Sequence, residues 1–372
     1  MGRIKSISIE GFKSIRKLED FEFKNLNVIV GANGAGKSNF IQIFKMLDAM
    51  SHGRFQEFIL NNGGADAFPF CGGKETPGVK IDFTFSSNYS EASHFYNFFM
   101  RPNVDERMVL SEQWKYKDYK WHYSGPSWES CLSDEIKNER SYSGQSAGVG
   151  AYIYDAISNW IIYHFHDTSS SSPMRRSEIV EDYEKLAGNA RNIAPFLLHM
   201  RDVFPKNYED IVNAIKLVIP FFEGFRLDVI KMGEAEKVKL TWKQKGTEYP
   251  MQPYHLSDGA LRFICLATAL LQPVSPTTIV IDEPELGLHP EAIQILAELI
   301  KATATKTQVI VATQSPLLLD QFSVEDIIVV RRQDGASTFE RLHAEDYSHW
   351  LEDYTVGELW TKNVIDGGTV YE

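Results

Sequence analysis

Val30-Gly31-Ala32-Asn33-Gly34-Ala35-Gly36-Lys37-Ser38-Asn39 is the stretch on which the reading of the fold turns. It closes the apolar run Leu26, Val28, Ile29 and Val30, and it precedes Phe40, Ile41, Phe44, Met46 and Leu47, which recur at helical spacing. A buried strand, a glycine-rich turn and a helix are therefore expected in that order. The spacing is that of GxxxxGK[ST]. Such a turn lets main-chain N–H groups curve around a polyphosphate at the helix N-terminus, where the dipole also favours negative charge. Asn33, Gly34, Ala35, Gly36, Lys37, Ser38 and Asn39 are the expected cradle. Lys37 is placed to reach the β- and γ-phosphates and Ser38 to ligate Mg²⁺, so ATP and Mg²⁺ are the implied ligands.

A second element makes the matching demand far along the chain. Thr278-Ile279-Val280-Ile281-Asp282-Glu283 is an apolar run that closes on two carboxylates. Asp282 is expected to face Mg²⁺, and Glu283 to point at the attacking water as general base. An apolar strand ending in Asp-Glu is commonplace by itself; after the glycine-rich turn it reads as a Walker B motif following a Walker A. Between the two, Leu256-Ser257-Asp258-Gly259-Ala260 leads into an almost wholly apolar helix. Taken alone, Ser257 is an ordinary helix N-cap.

The ordered triad resembles the ABC ATPase superfamily, and Asp282-Glu283-Pro284-Glu285 with Leu288-His289-Pro290 resembles its RecF/SMC branch. Ile9-Glu10-Gly11-Phe12-Lys13-Ser14-Ile15, together with the phosphate turn, is similar to the RecF-like predicted ATPases. The resemblance covers residues 3–51 and 255–320. It implies an α/β fold, a P-loop NTPase of the ABC-type ATPase head class with two lobes and an α+β insertion between Walker A and the signature. The expected boundaries are 1–85 for the N-terminal part of the head, 86–220 for a partly helical insertion, 221–346 for the C-terminal part with signature, Walker B and switch, and 347–372 for a tail. The resemblance also implies ATP hydrolysis in a homodimer closed head to tail around two nucleotides. Ser257 and Gly259 of one subunit then complete the γ-phosphate site of the other, and residues 286–289 line the same interface. Lys13, with Ser14, is placed near the nucleotide by the resemblance alone.

Two positions depart from the family pattern. The switch run is Thr313-Gln314-Ser315-Pro316, with Gln314 where His is usual. An amide still hydrogen-bonds a phosphate or a water, but it cannot take up a proton. Slow hydrolysis is expected, with Glu283 as the dominant base and Gln314 assisting; Gln314 also reads as a plain polar strand end. The glutamine that usually couples Mg²⁺ to the moving lobe is missing from residues 61–85.

The composition narrows the partners. With 372 residues, 38 Lys+Arg against 50 Asp+Glu and a net charge of −12, the balance argues against a uniformly basic coat for duplex binding. Any DNA must be met by a local basic patch, by the assembled dimer or by a partner chain. DNA repair or defence against foreign DNA is the expected setting, with an ATP-gated sensor that recruits an effector protein as the alternative. The stretch after Gln314 holds a hairpin and a tail, so nuclease activity is expected only from a partner. Cys71, Cys131 and Cys265 form no CxxC pair, which suits a reducing cytoplasm and neither a disulfide scaffold nor a zinc knuckle. No apolar run reaches the roughly 18 residues of a membrane span, and the N-terminus lacks an apolar signal core. A transporter engine is disfavoured by the Gly11-Phe12-Lys13-Ser14 motif, the missing glutamine in residues 61–85 and the lack of such a span.

Elsewhere, strands are expected around Ile4, Ile7 and Ile9, around Phe21 and Phe23, and over residues 79–85. Hairpins are expected over 225–243 and around Asp334-Gly335, and helices over 181–203, 208–218 and 291–301. His164-Phe165-His166-Asp167 brings two imidazoles and a carboxylate together without an obvious further ligand, and a structural role is favoured. Lys115, Lys117 and Lys120 among Trp114, Tyr116, Tyr119 and Trp121 read as a surface hairpin sooner than as a platform for single strands. Arg175-Arg176 and Arg331-Arg332 are small basic spots.

Overall fold

The computed structural model describes residues 2–86, 93–132 and 148–365. They divide into two compact units, one of Met1–Trp160, Pro276–Ile279 and Val324–Glu372, the other of Ile161–Ser275 and Val280–Ser323. The first unit opens with β1 (Ile4–Phe12), β2 (Ile15–Glu22) and β3 (Leu26–Val30), then α1 (Lys37–Ser51) and α2 (Phe55–Asn61). The strand–turn–helix order expected around Gly31 is present. Four further strands follow, β4 (Val79–Ser86), β5 (Ser93–Pro102), β6 (Met108–Tyr116) and β7 (His122–Ser127). They continue one antiparallel sheet in the order β2-β1-β4-β5-β6-β7. β6 and β7 form the hairpin expected near Lys117.

Side chains along β5 alternate by the two-residue period of a strand: His94, Tyr96, Phe98 and Met100 are buried, while Phe95, Asn97 and Phe99 point the other way. The buried Glu112 on β6 is not left bare. Tyr96 and Ser130 donate their hydroxyls to one carboxylate oxygen at 2.7 and 2.6 Å, and the Cys131 amide donates to the other at 2.8 Å. The unit also contains α3 (Val149–Ser158). Strand β8 (Trp160–Tyr163) starts with Trp160, whose ring centroid lies 5.4, 6.0 and 6.2 Å from those of Phe44, Phe83 and Phe85.

In the second unit come β9 (Glu178–Ile179), α4 (Ile193–Val203) and α5 (Pro205–Val218), and then β10 (Phe222–Phe225), β11 (Val229–Met232), β12 (Ala235–Val238) and β13 (Trp242–Gln244). β11 pairs with β12 and β10 with β13, so the expected hairpin is two nested antiparallel pairs. The helix expected from residue 181 begins only at Ile193. Asn192 explains the difference, because its side chain donates to the Lys185 and Asp182 carbonyls at 2.8 and 3.0 Å and accepts from the Ala187 amide at 2.9 Å. These bonds hold residues 181–192 in turns and take over backbone groups that a helix would pair.

Next are α6 (Asp258–Leu270), β14 (Thr278–Asp282), of which Thr278 and Ile279 belong to the first unit, α7 (Pro290–Ala304), β15 (Gln308–Thr313) and α8 (Pro316–Leu319). Every residue of α6 from Leu261 onward is buried, which accounts for its apolar sequence all round. It packs on α5 and α7, and Thr303 of α7 donates its hydroxyl to the Leu270 carbonyl at 3.1 Å. The chain then returns to the first unit with β16 (Ile327–Gln333), β17 (Ala336–Arg341), α9 (Ala344–Leu351) and α10 (Val356–Thr361). β16 runs parallel to β3 and antiparallel to β17 about the Asp334-Gly335 turn. Residues 366–372 of the expected tail lie outside the described residues. Among the described residues no helix is long and apolar enough to cross a membrane.

Trp160→Ala is expected to destabilise the first unit by about 3–5 kcal/mol, the usual cost of deleting a buried aromatic ring. The shift of its urea midpoint checks this; a cost under about 1 kcal/mol is incompatible with the packing described.

Candidate functional site

Strand β3 is buried along its whole length and delivers the chain to Gly31. A Cβ on Gly31 would stand 2.4 Å from the Val330 carbonyl oxygen, and one on Gly36, at φ +120°, would stand 2.1 Å from Ser337 Oγ. The turn is thus pressed against β16 and β17 at both ends. Ser337 donates to the Ala35 carbonyl at 2.5 Å, its Oγ lies 2.7 Å from Ser14 Oγ, and Asn39 Nδ2 donates to Ser14 Oγ at 2.8 Å. Ser14 therefore adjoins the turn through this network. Lys13 sits at φ +49° with its ammonium 4.6 Å from the Phe68 ring centre, and burial pulls its pKa below the usual lysine value.

The cradle has the chemistry of an anion site. α1 starts without a side-chain cap, and its first turn carries no carboxylate, so the main-chain donors there are not competed for. Lys37 is buried and folds its ammonium back onto the Gly31 and Ala32 carbonyls at 2.5 and 3.1 Å. Asn33, Gly34 and Ser38 are exposed. Walker A, Lys13 and Ser14 thus belong to the first unit.

The second unit gathers the other expected residues. Glu283 follows β14 at φ +44°, an unusual conformation for a side chain of this kind, and its amide donates to the Ala312 carbonyl at 2.8 Å. Gln314 Nε2 donates to Glu283 Oε1 at 2.9 Å, so these two side chains are joined directly. Glu285, the last residue of the Asp282-Glu283-Pro284-Glu285 run, is locked beside them. Its Oε1 accepts from Thr313 Oγ1 at 2.5 Å, while Oε2 is buried without a hydrogen-bond partner. Burial pushes the Glu285 carboxyl above the usual range, Thr313 draws it back, and Glu283 adds to the rise.

Ser257 caps α6, its Oγ accepting from the Ala260 amide at 3.2 Å. Ser257 and Asp258 are exposed. Gly259 packs so closely that a Cβ there would meet the Gly287 carbonyl oxygen at 2.1 Å. Arg175 is no free basic spot: its side chain is 8% exposed, and it binds Asp258 at 2.8 Å and the Thr168 carbonyl at 2.9 Å. Arg262 is a second buried cation that the apolar look of α6 concealed. It donates to the carbonyls of Phe165 at 2.9 Å, His166 at 3.3 Å and Leu286. Burial lowers its pKa, and Asp258 works against that fall.

The segment after β8 completes this group. His164 Nδ1 lies 3.9 Å from Asp282 Oδ2, and His166 Nε2 is 3.0 Å from the Asp282 carbonyl oxygen. The carboxylate next to both histidines is therefore Asp282. Asp167 turns away to accept from the Ser169 hydroxyl at 2.7 Å.

Residues 26–320 match the family described as "AAA domain, putative AbiEii toxin, Type IV TA system". The chain belongs to that family. Two relatives of it are the Retron Vc95 probable ATPase of Vibrio cholerae serotype O1 biovar El Tor, 23% identical over 89% of this chain and 74% of the relative, and the Septu protein PtuA of Bacillus thuringiensis, 21% identical over 96% and 82%. Among solved structures, the SMC head bound to the C-winged helix domain of ScpA has a TM-score of 0.58 at 18% identity, covering 93% of this chain and 99% of the other. The SMC head with an extended coiled coil bound to the C-terminal domain of ScpA from Pyrococcus furiosus gives 0.61 at 17%, covering 95% and 99%. The family and this fold make the chain an SMC/RecF-like ABC-type ATPase with a P-loop NTPase head of mixed α/β sheets.

Two outcomes test this geometry. Arg262→Met removes charge-assisted bonds worth about 1.5–3 kcal/mol each and strands their carbonyls, so chemical denaturation should show a loss of about 3 kcal/mol or more. Glu285→Gln probes the raised carboxyl. Its native pKa lies above the unfolded value of 4.5, so ionisation costs native stability at neutral pH, and that cost fades as pH falls from the native pKa toward 4.5. The melting temperature of Glu285→Gln relative to wild type, without nucleotide and in chelator, should therefore be higher at pH 7.5 than at pH 5. A difference that is flat with pH, or that grows in acid, contradicts the assignment.

Proposed function

We propose that this ATPase hydrolyses ATP to ADP and phosphate slowly, with Glu283 as general base and Gln314 as its orienting partner. The observation that carries the reading is the 2.9 Å bond from Gln314 Nε2 to Glu283 Oε1. One carboxylate oxygen is thereby occupied by a donor and the other left to take a proton from water. The amide cannot relay the proton as imidazole does, and that supports a low turnover.

The main-chain donors of residues 33–39 and the ammonium of Lys37 hold the phosphates in this reading. The Ser38 hydroxyl and the Asp282 carboxylate are hard oxygen donors of the kind Mg²⁺ takes. When bound, Mg²⁺ neutralises charge on the β- and γ-phosphates. Ser257 and Gly259, exposed or half-exposed at the start of α6, serve the nucleotide of a second subunit in a head-to-tail homodimer. Lys13 remains a proposed nucleotide neighbour by resemblance. The setting we favour is a reducing cytoplasm, with Cys71, Cys131 and Cys265 all unbridged, and defence against foreign DNA ahead of DNA repair. The toxin–antitoxin wording of the family and the retron and Septu names of the relatives support that order.

A second reading has its own support. A net charge of −12 and the ScpA-bound state of similar SMC heads favour an ATP-gated scaffold that recruits an effector or nuclease chain without touching DNA. Turnover stimulated by DNA, with binding that weakens steeply in salt, favours the first; co-purification of a protein partner indifferent to DNA favours the second.

Glu283→Gln should lower kcat by about 10²–10⁴-fold, the usual worth of a general base, and accumulate dimers with Mg²⁺ and ATP in light scattering. Gln314→Ala should cost less. Unchanged turnover in Glu283→Gln with abolished turnover in Gln314→Ala would reverse the assigned roles.

A further inference from the structure

The carboxylate of Asp282 faces nitrogen donors as well as the chemistry proposed above. We propose that His164, His166 and Asp282 form a site for one divalent first-row transition-metal ion, taken up without nucleotide. One ligand atom from each residue lies within 4.8 Å of the other two. Two ligands about 2.1 Å from a shared ion stand roughly 3–4 Å apart, and the His164 Nδ1 to Asp282 Oδ2 distance is already 3.9 Å. The ligand atoms therefore have to draw together by no more than about 1–2 Å to share an ion.

Three surroundings favour a ligand role over a simple hydrogen-bonded cluster. His166 Nε2, at 3.0 Å from the Asp282 carbonyl oxygen, donates to it when it carries the proton, which leaves the lone pair on Nδ1. A ring N–H given to a main-chain carbonyl is the usual way a ligating histidine is oriented. Next, hydrogen bonds hold the segment in place. Arg262 donates to the Phe165 and His166 carbonyls, and the His164 amide donates to the Gly188 carbonyl at 2.9 Å. Finally, the His164 side chain is 46% exposed while that of Asp282 is 15% exposed, so an ion can enter from solvent and keep water in its remaining positions.

The donor set also selects the ion. Imidazole nitrogens with one carboxylate suit Zn²⁺, Mn²⁺, Fe²⁺, Co²⁺ or Ni²⁺, whereas Mg²⁺ and Ca²⁺ prefer oxygen throughout. The sequence offered Asp167 as the nearest carboxylate; the one that completes the set stands 116 residues beyond His166.

The test uses the full chain, stripped of metal and free of nucleotide. Titration with Co²⁺, followed by its visible absorption, should show one ion bound per chain, displaced by Zn²⁺. His164→Ala should weaken binding at least tenfold, and circular dichroism should show that this half-exposed substitution leaves the fold intact. Electron spin resonance of bound Cu²⁺ should show coupling to two imidazole nitrogens in wild type and one in His164→Ala. No saturable Co²⁺ binding in wild type, equal affinity in His164→Ala, or a Cu²⁺ spectrum without nitrogen coupling each overturns the proposal. Because no nucleotide is present, a chain that fails to hydrolyse ATP leaves the result unaffected.

Discussion

The buried guanidinium of Arg262 is the constraint on which the second unit's arrangement depends. One side chain on α6 donates to the carbonyls of the adjacent Phe165 and His166 and to that of Leu286, and so joins two places in the chain that lie far apart in sequence. Burying a cation is expensive unless its donors are satisfied, and here the acceptors are backbone groups that would otherwise be left unpaired in the interior. The bonds therefore answer two needs together. They keep the charge tolerable, and they fix the segment bearing His164 and His166 and the turn after Walker B against the signature helix. The Gly259–Gly287 approach is possible because that turn is pinned so close.

Around this anchor the carboxylates differ in their surroundings. Glu283 has a polar partner in Gln314, whereas Glu285 keeps a buried oxygen without a hydrogen-bond partner and a pKa pushed upward. Burial raises the Glu285 carboxyl, with the Thr313 hydroxyl opposing that rise and the neighbouring Glu283 adding to it. Thr313 and Gln314, adjacent at the end of β15, each serve one of them.

Much of this was legible in the sequence, and the limits are physical. The turn at residues 31–38, the hairpin about Asp334-Gly335 and the helix from Asp258 carry local signals, namely glycine spacing, turn chemistry and an N-cap, and local signals survive folding. β5 was obscure because Phe95 and Phe99 put aromatic rings on its outer face, hiding the alternation of His94, Tyr96, Phe98 and Met100. The helix expected from residue 181 failed through the Asn192 side chain, whose bonds to the backbone no periodicity reveals. Arg175, Arg262 and the His164–His166–Asp282 group depend on partners distant in the chain. Residue identity marked them as polar, and only the fold says what they hold.

The backbone at Glu283 places firmness and chemistry in opposition. At φ +44° glycine fits without strain and asparagine with little, whereas glutamate holds the position at a cost of about 1–3 kcal/mol. Replacement by either would relax the turn and delete the carboxylate proposed as general base. A search for sturdier forms of this protein, guided by melting temperature alone, would therefore be drawn at this residue toward forms that lack the proposed base.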